Sequence, residues 1–120
     1  MAIKIQTEKP VIPIEIGELT FEFELTDENI HRLYQSENEF AKKIQKIEGD
    51  DLEAAKAMLK ESFDFLLGEG TFEKIYELSP SVIILTKYFY SIVDGLYEEI
   101  RKKAESSSQS KVNKYLNKKK

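Results

Sequence analysis

Three places in the chain carry residue types that could do chemistry. His31, the one histidine, could move a proton near neutral pH. Asp50-Asp51-Leu52-Glu53 gathers carboxylates of the kind that hard cations take as ligands. Gly68-Glu69-Gly70 offers the backbone freedom of a loop that wraps phosphate. Each lacks the partners its chemistry requires. His31 lies beside Arg32 near the start of a predicted helix, and with no second histidine and no cysteine there is neither a histidine-based triad nor a zinc cluster. The absence of cysteine also excludes disulfides, thiolate metal sites and a cysteine nucleophile. The acidic run lacks the alternating oxygen ligands, central glycine and terminal glutamate of an EF-hand loop, and reads as helix capping. The Gly-Glu-Gly turn lacks the lysine and Ser/Thr of a phosphate loop, and its glutamate would repel the anion. The sequence therefore predicts no catalytic residue, no cofactor and no metal; an enzyme is not expected.

Charge is more informative split by position than summed. Residues 101–120 carry eight bases against one acid, a net of +7, and because the whole chain is −4, the first hundred residues hold −11. An acidic body repels nucleic acid, while a basic tail can meet phosphate, an acidic partner or only water. At 120 residues the chain fits one domain with a single core. MAIKIQTEKP lacks the apolar core and cleavage site of a signal peptide, and the longest apolar run, Val82 to Leu85, is too short to span a bilayer. These features read as a soluble intracellular protein that spans no membrane.

The fold expected is α+β and mainly α: an N-terminal β-hairpin on a bundle of about four helices, followed by a disordered basic tail. In VIPIEIGELTFEFEL the apolar residues alternate on both sides of a glycine. A two-residue Gly17-Glu18 turn sets Ile16 opposite Leu19, Ile14 opposite Phe21 and Ile12 opposite Phe23, all on one face. Glycine at the first central position suits a type II′ turn. Pro13 marks the first strand as an edge. Ala2 to Gln6 also alternates and offers a third, weaker strand. The hairpin is predicted over residues 11–25 and helices over 27–48, 51–67, 71–78 and 80–104. Together these form one folded domain, residues 1–104, with 105–120 as the flexible tail.

The helix boundaries come from capping residues. Thr26 before Asp27 and Glu28 suits an N-cap, and Gly49 closes the first helix. Asp50 with Glu53 approximates a capping box for the second, whose apolar stripe ends at Gly68. Gly68 and Gly70 turn the chain into a short third helix carrying Phe72, Ile75 and Tyr76. Ser79 with Pro80 reads as N-cap and first residue of the fourth. On that helix Val82, Leu85, Phe89, Ile92, Val93, Leu96 and Ile100 form a core seam, while Ile83, Ile84, Tyr88, Tyr90 and Tyr97 spread apolar surface round the cylinder. Such a helix is either central in the fold or partly covered by a partner.

The order PIEIGELTFEFELTDENI, an amphipathic helix, then FLLGEGTFEKIYELSPSVIILTKYFYSIVDGLYEEI resembles the tail assembly chaperones of long-tailed (siphovirus-type) phages and prophages of Gram-positive bacteria. The likeness covers about residues 10–100, and its most distinctive part is Gly68 to Tyr76 followed by Ser79-Pro80. It implies a non-catalytic, mostly helical protein that binds the tape measure protein, keeps it soluble and recruits tail tube subunits. It further implies action in the cytoplasm of the infected or lysogenic host and absence from the mature virion. On this reading Phe72, Ile75, Tyr76, Tyr88 and Tyr90 are the candidate partner contacts. The family often has a longer form made by ribosomal frameshifting, and the lysine run Lys118-Lys119-Lys120 predicts a slippery adenine run and such a longer partner. The alternatives are a small regulatory or antitoxin-like protein using its basic tail on nucleic acid or an acidic partner, and a self-associating structural protein of the tail.

Overall fold

The structure of the protein is a computed structural model that describes residues 1–105. Strands β1 (Val11–Ile16) and β2 (Leu19–Glu24) form an antiparallel hairpin, followed by helices α1 (Asp27–Ile44), α2 (Leu52–Leu67), α3 (Thr71–Leu78) and α4 (Val82–Ala104). The register is Ile16 with Leu19, Ile14 with Phe21 and Ile12 with Phe23, as the alternation requires. Gly17 has φ +58 while Glu18 is not at positive φ. That pattern rules out a type I′ turn and fits type II′, the turn whose twist matches the strands. The ladder continues outward, with the Leu25 N–H donating to the Pro10 carbonyl at 2.9 Å. By the same parity the backbone groups of Ile12, Ile14 and Ile16 point at β2, and those of Val11, Pro13 and Glu15 point away. The missing N–H of Pro13 thus falls on the free edge, where it interrupts no bond of this hairpin.

The sheet has two strands only; Ala2 to Gln6 does not form a third. The arm, residues 1–9, is exposed throughout. An alternating segment needs a partner edge to become a strand, and among the described residues the arm pairs with none.

The apolar face of the hairpin and one side of each helix close around a single core. At its centre Phe89 of α4 stacks on Phe40 of α1, centroids 4.6 Å apart, and meets Phe63 of α2 edge-on at 5.5 Å. All three rings are fully buried. Burial of a phenylalanine ring contributes about 2 to 3 kcal/mol through water exclusion alone, so this trio anchors the packing of three helices.

Three helix boundaries differ from the sequence reading. Helix α1 ends at Ile44 with Gln45 as C-cap, not near residue 48, and the N–H groups of Lys46 and Ile47 then donate to Lys43 and Ile44 carbonyls three residues back. Tightening of the last turn keeps Ile47 half-buried, which is why the apolar period runs past the α-helix. Gly49 consequently lies in the following loop without positive φ and caps nothing. The N-cap of α2 is Asp51, not Asp50: its Oδ1 accepts from Ala54 N–H at 3.1 Å. Helix α4 starts at Val82, and its N-cap is Ser81, whose Oγ accepts from Ile84 N–H at 3.3 Å. Ser79 instead ends α3, its N–H on the Ile75 carbonyl at 2.9 Å, with Pro80 inside the turn. Two serines flank Pro80, and the tight turn between α3 and α4 selects the second.

The Gly68 to Gly70 turn is as the sequence suggests, with positive φ at both glycines and the left-handed conformation at Gly70, the N-cap of α3. Gly70 has no side chain to cap with, and Asp64 of α2 supplies the acceptor: its Oδ1 takes the Phe72 N–H at 3.0 Å. Lys60 then ion-pairs with both Asp64 and Glu73, tying α2 to α3. At the other end of α3, Leu78 packs against the hairpin tip; a Cβ on Gly17 would lie 2.9 Å from the Leu78 Cδ2. Among the described residues no helix is long and apolar enough to cross a membrane. The predicted tail from residue 106 onward lies outside the described residues.

Candidate functional site

Helix α4 is sealed on the side that meets α1 and α2, and open where it faces β1. There a groove of about 490 Å3 runs along the free edge of the strand, with Ile12, Ile14 and Ile16 on one wall, Tyr88 on the other, and the buried core residues Ile92 and Leu96 as its floor. Two small residues one turn apart on α4, Ser91 and Gly95, make the opening. Apart from its chain neighbours and its own helix backbone, no atom lies within 4 Å of where a Gly95 Cβ would be. The charged lining residues are Glu15 and Glu99. The walls are therefore apolar and the charge is acidic, an arrangement for holding an apolar segment with basic flanks rather than for bond chemistry.

The five candidate contacts do not form one surface. Phe72 and Ile75 are in the core, 3% and 0% exposed, so they present nothing to a partner while the domain is folded. Tyr76 is half-buried, stacked on Phe72 with centroids 5.5 Å apart, and the Lys56 ammonium lies 4.3 Å from its ring centroid. Tyr88 lines the groove, and its hydroxyl shares a 3.2 Å hydrogen bond with the Ser79 Oγ. Tyr90 is more exposed and lies edge-on to Phe40 at 5.3 Å, two residues and more than half a helical turn from Tyr88. Only Tyr88 of the five belongs to the groove.

The residues read as possible chemistry are likewise accounted for. His31 is exposed. Asp51 is used as a cap, and among the described residues no group of three or more His, Cys, Asp or Glu is placed to hold a metal. The Tyr97 phenol is moved from its ordinary range. Burial pushes it up, and the Glu37 carboxylate, which accepts its hydrogen bond at 3.0 Å, pushes it further. It also stacks on Tyr34, centroids 5.5 Å apart, so its role is to join α1 to α4.

Sequence reasoning missed the groove because it arises between two elements. The available signal was the Ser91 and Gly95 pair, small residues four apart on an otherwise bulky helix, beside a strand whose edge Pro13 marks as open.

In comparison with known proteins, a model described as a family of unknown function (DUF6673) matches residues 17–120, beginning in the hairpin turn. No curated protein and no solved structure matches the chain.

Proposed function

We propose that this protein, which belongs to the DUF6673 family, is a tail assembly chaperone of a long-tailed phage or prophage, acting without catalysis on the tape measure protein. The observation that carries this reading is the open groove between β1 and α4 on an acidic body. A tape measure protein is long and helix-rich, with apolar faces that aggregate before the tail tube encloses them. The occupant of the groove is an amphipathic helix of that protein with lysine or arginine flanking its apolar stripe. Its apolar side lies between the half-buried β1 isoleucines and Tyr88, over a floor closed by the core residues Ile92 and Leu96, and its basic flanks meet Glu15 and Glu99 at the rim. The surplus negative charge of the first hundred residues keeps the complex dispersed. Recruitment of tail tube protein, action in the host cytoplasm and release before the virion matures belong to the same proposal.

Co-expression with the tape measure protein of the same genome, followed by size-exclusion chromatography, tests it. The expected result is a soluble complex with the unaltered chain. Gly95→Trp, which fills the groove without meeting any atom near its Cβ, is expected to leave the fold intact and abolish the complex. A tape measure protein that stays insoluble with either chain, or a complex indifferent to Gly95→Trp, sinks the reading.

A further inference from the structure

The exposed arm and the open groove have matching chemistry. Ile3 and Ile5 are 91% and 83% exposed, two large aliphatic side chains with Lys4 between them. Such alternation places both isoleucines on one face of an extended segment and Lys4 on the other. Strand β1 has the same two faces: Ile12, Ile14 and Ile16 turn inward, and Val11, Pro13 and Glu15 turn outward. Its free edge, which borders the groove, carries backbone groups that no other strand among the described residues pairs with.

The arm cannot readily reach that edge in its own chain. Pro10 is already held in the ladder by the Leu25 N–H, so the reversal would fall on Thr7, Glu8 and Lys9. Lys9 precedes a proline, which disfavours the helical backbone that a tight turn needs, and none of the three is Gly, Asn or Asp.

We propose that two copies of the chain exchange arms, Ala2 to Gln6 of each adding antiparallel to the free edge of β1 in the other. One register satisfies both faces. With Lys4 opposite Glu15, Ile5 lies opposite Ile14 and Ile3 opposite Ile16. The isoleucines then enter the groove towards α4, and the ammonium and carboxylate pair on the outer face. Gln6 falls opposite Pro13, whose carbonyl still accepts although its nitrogen cannot donate, so the ladder loses one bond. The exchange is isologous and closes at two copies. What it does for function rests on the chaperone reading: the arm occupies the groove until a client displaces it.

Light scattering coupled to size-exclusion chromatography of the full chain, without any client, tests the exchange. The expected result is a concentration-dependent dimer. Ile3→Lys with Ile5→Lys alters side chains that lie exposed outside the folded body, and is expected to leave helical circular dichroism unchanged while weakening the dimer at least about a hundredfold. Lys4→Glu is expected to weaken it less, and Glu15→Lys in the same chain to restore it. Because the chain has no cysteine, Ile3→Cys with Ile16→Cys gives a clean cross-link, expected between chains. A monomer at every concentration, a dimer indifferent to the paired lysines, or a disulfide within one chain overturns the proposal. Each of these leaves the chaperone reading standing, and an insoluble tape measure protein leaves the arm exchange standing.

Discussion

The two sides of α4 are built from the same kinds of residue and end in opposite states. Towards α1 and α2, Phe89 finds Phe40 and Phe63, rings that reach across the gap and fill it. Towards β1, Ile92 and Leu96 are covered at their base, but above them Ser91 and Gly95 do not fill the space that faces the half-buried isoleucines. The contrast teaches that openness is set less by polarity than by reach. A wall of branched aliphatics stays open where the facing helix has residues too short to bridge it.

The sharpest way to break the comparison is to remove a ring from the sealed side. Phe89→Ala is expected to cost about 3 to 5 kcal/mol in denaturant unfolding, because three helices lose a shared contact. Ile14→Ala, in the half-buried wall of the groove, should cost distinctly less. Equal losses would mean that the two sides are packed alike. The next largest effect lies at the corner of the sealed side. Asp64→Ala leaves the Phe72 N–H, which belongs to a buried residue, without its acceptor, and about 1 to 2 kcal/mol should be lost.

On the open side the sign reverses. Gly95 lies in a helix with free space at its Cβ, so Gly95→Ala should raise stability by about 0.5 to 1 kcal/mol in the same titration. A loss would show the groove to be tighter than described. The smallest effect concerns pH. Tyr97 holds its proton more firmly folded than unfolded, so its contribution is complete below the ordinary phenol value near 10 and declines as pH rises above it. The melting temperature should therefore fall more steeply above that pH in the unaltered protein than in Tyr97→Phe.

Much of the architecture was legible in the sequence because local rules sufficed. Alternation about Gly17-Glu18 set the hairpin register, and the glycines at 68 and 70 bounded α3. Where two local solutions competed, only the tertiary turn chose, as with Ser79 and Ser81 on either side of Pro80. The Asp64 cap joins residues eight apart across a turn and has no local signature. The candidate site was least legible. Aromatic residues on a helix are what both a core and a binding face look like, and Phe72 and Ile75 proved to be core. The groove depends on what two elements leave empty, which side-chain type alone does not encode.

The contact between Leu78 and the hairpin tip has a mechanical meaning. With its tip resting on the last turn of α3 and its inner face on the core, the hairpin is a latch rather than a flap. It swings only if the end of α3 lets go as well, so the two should open as one cooperative unit. Opening at the free edge of β1 should therefore loosen the Ser79 to Ser81 turn at the end of α3 along with it.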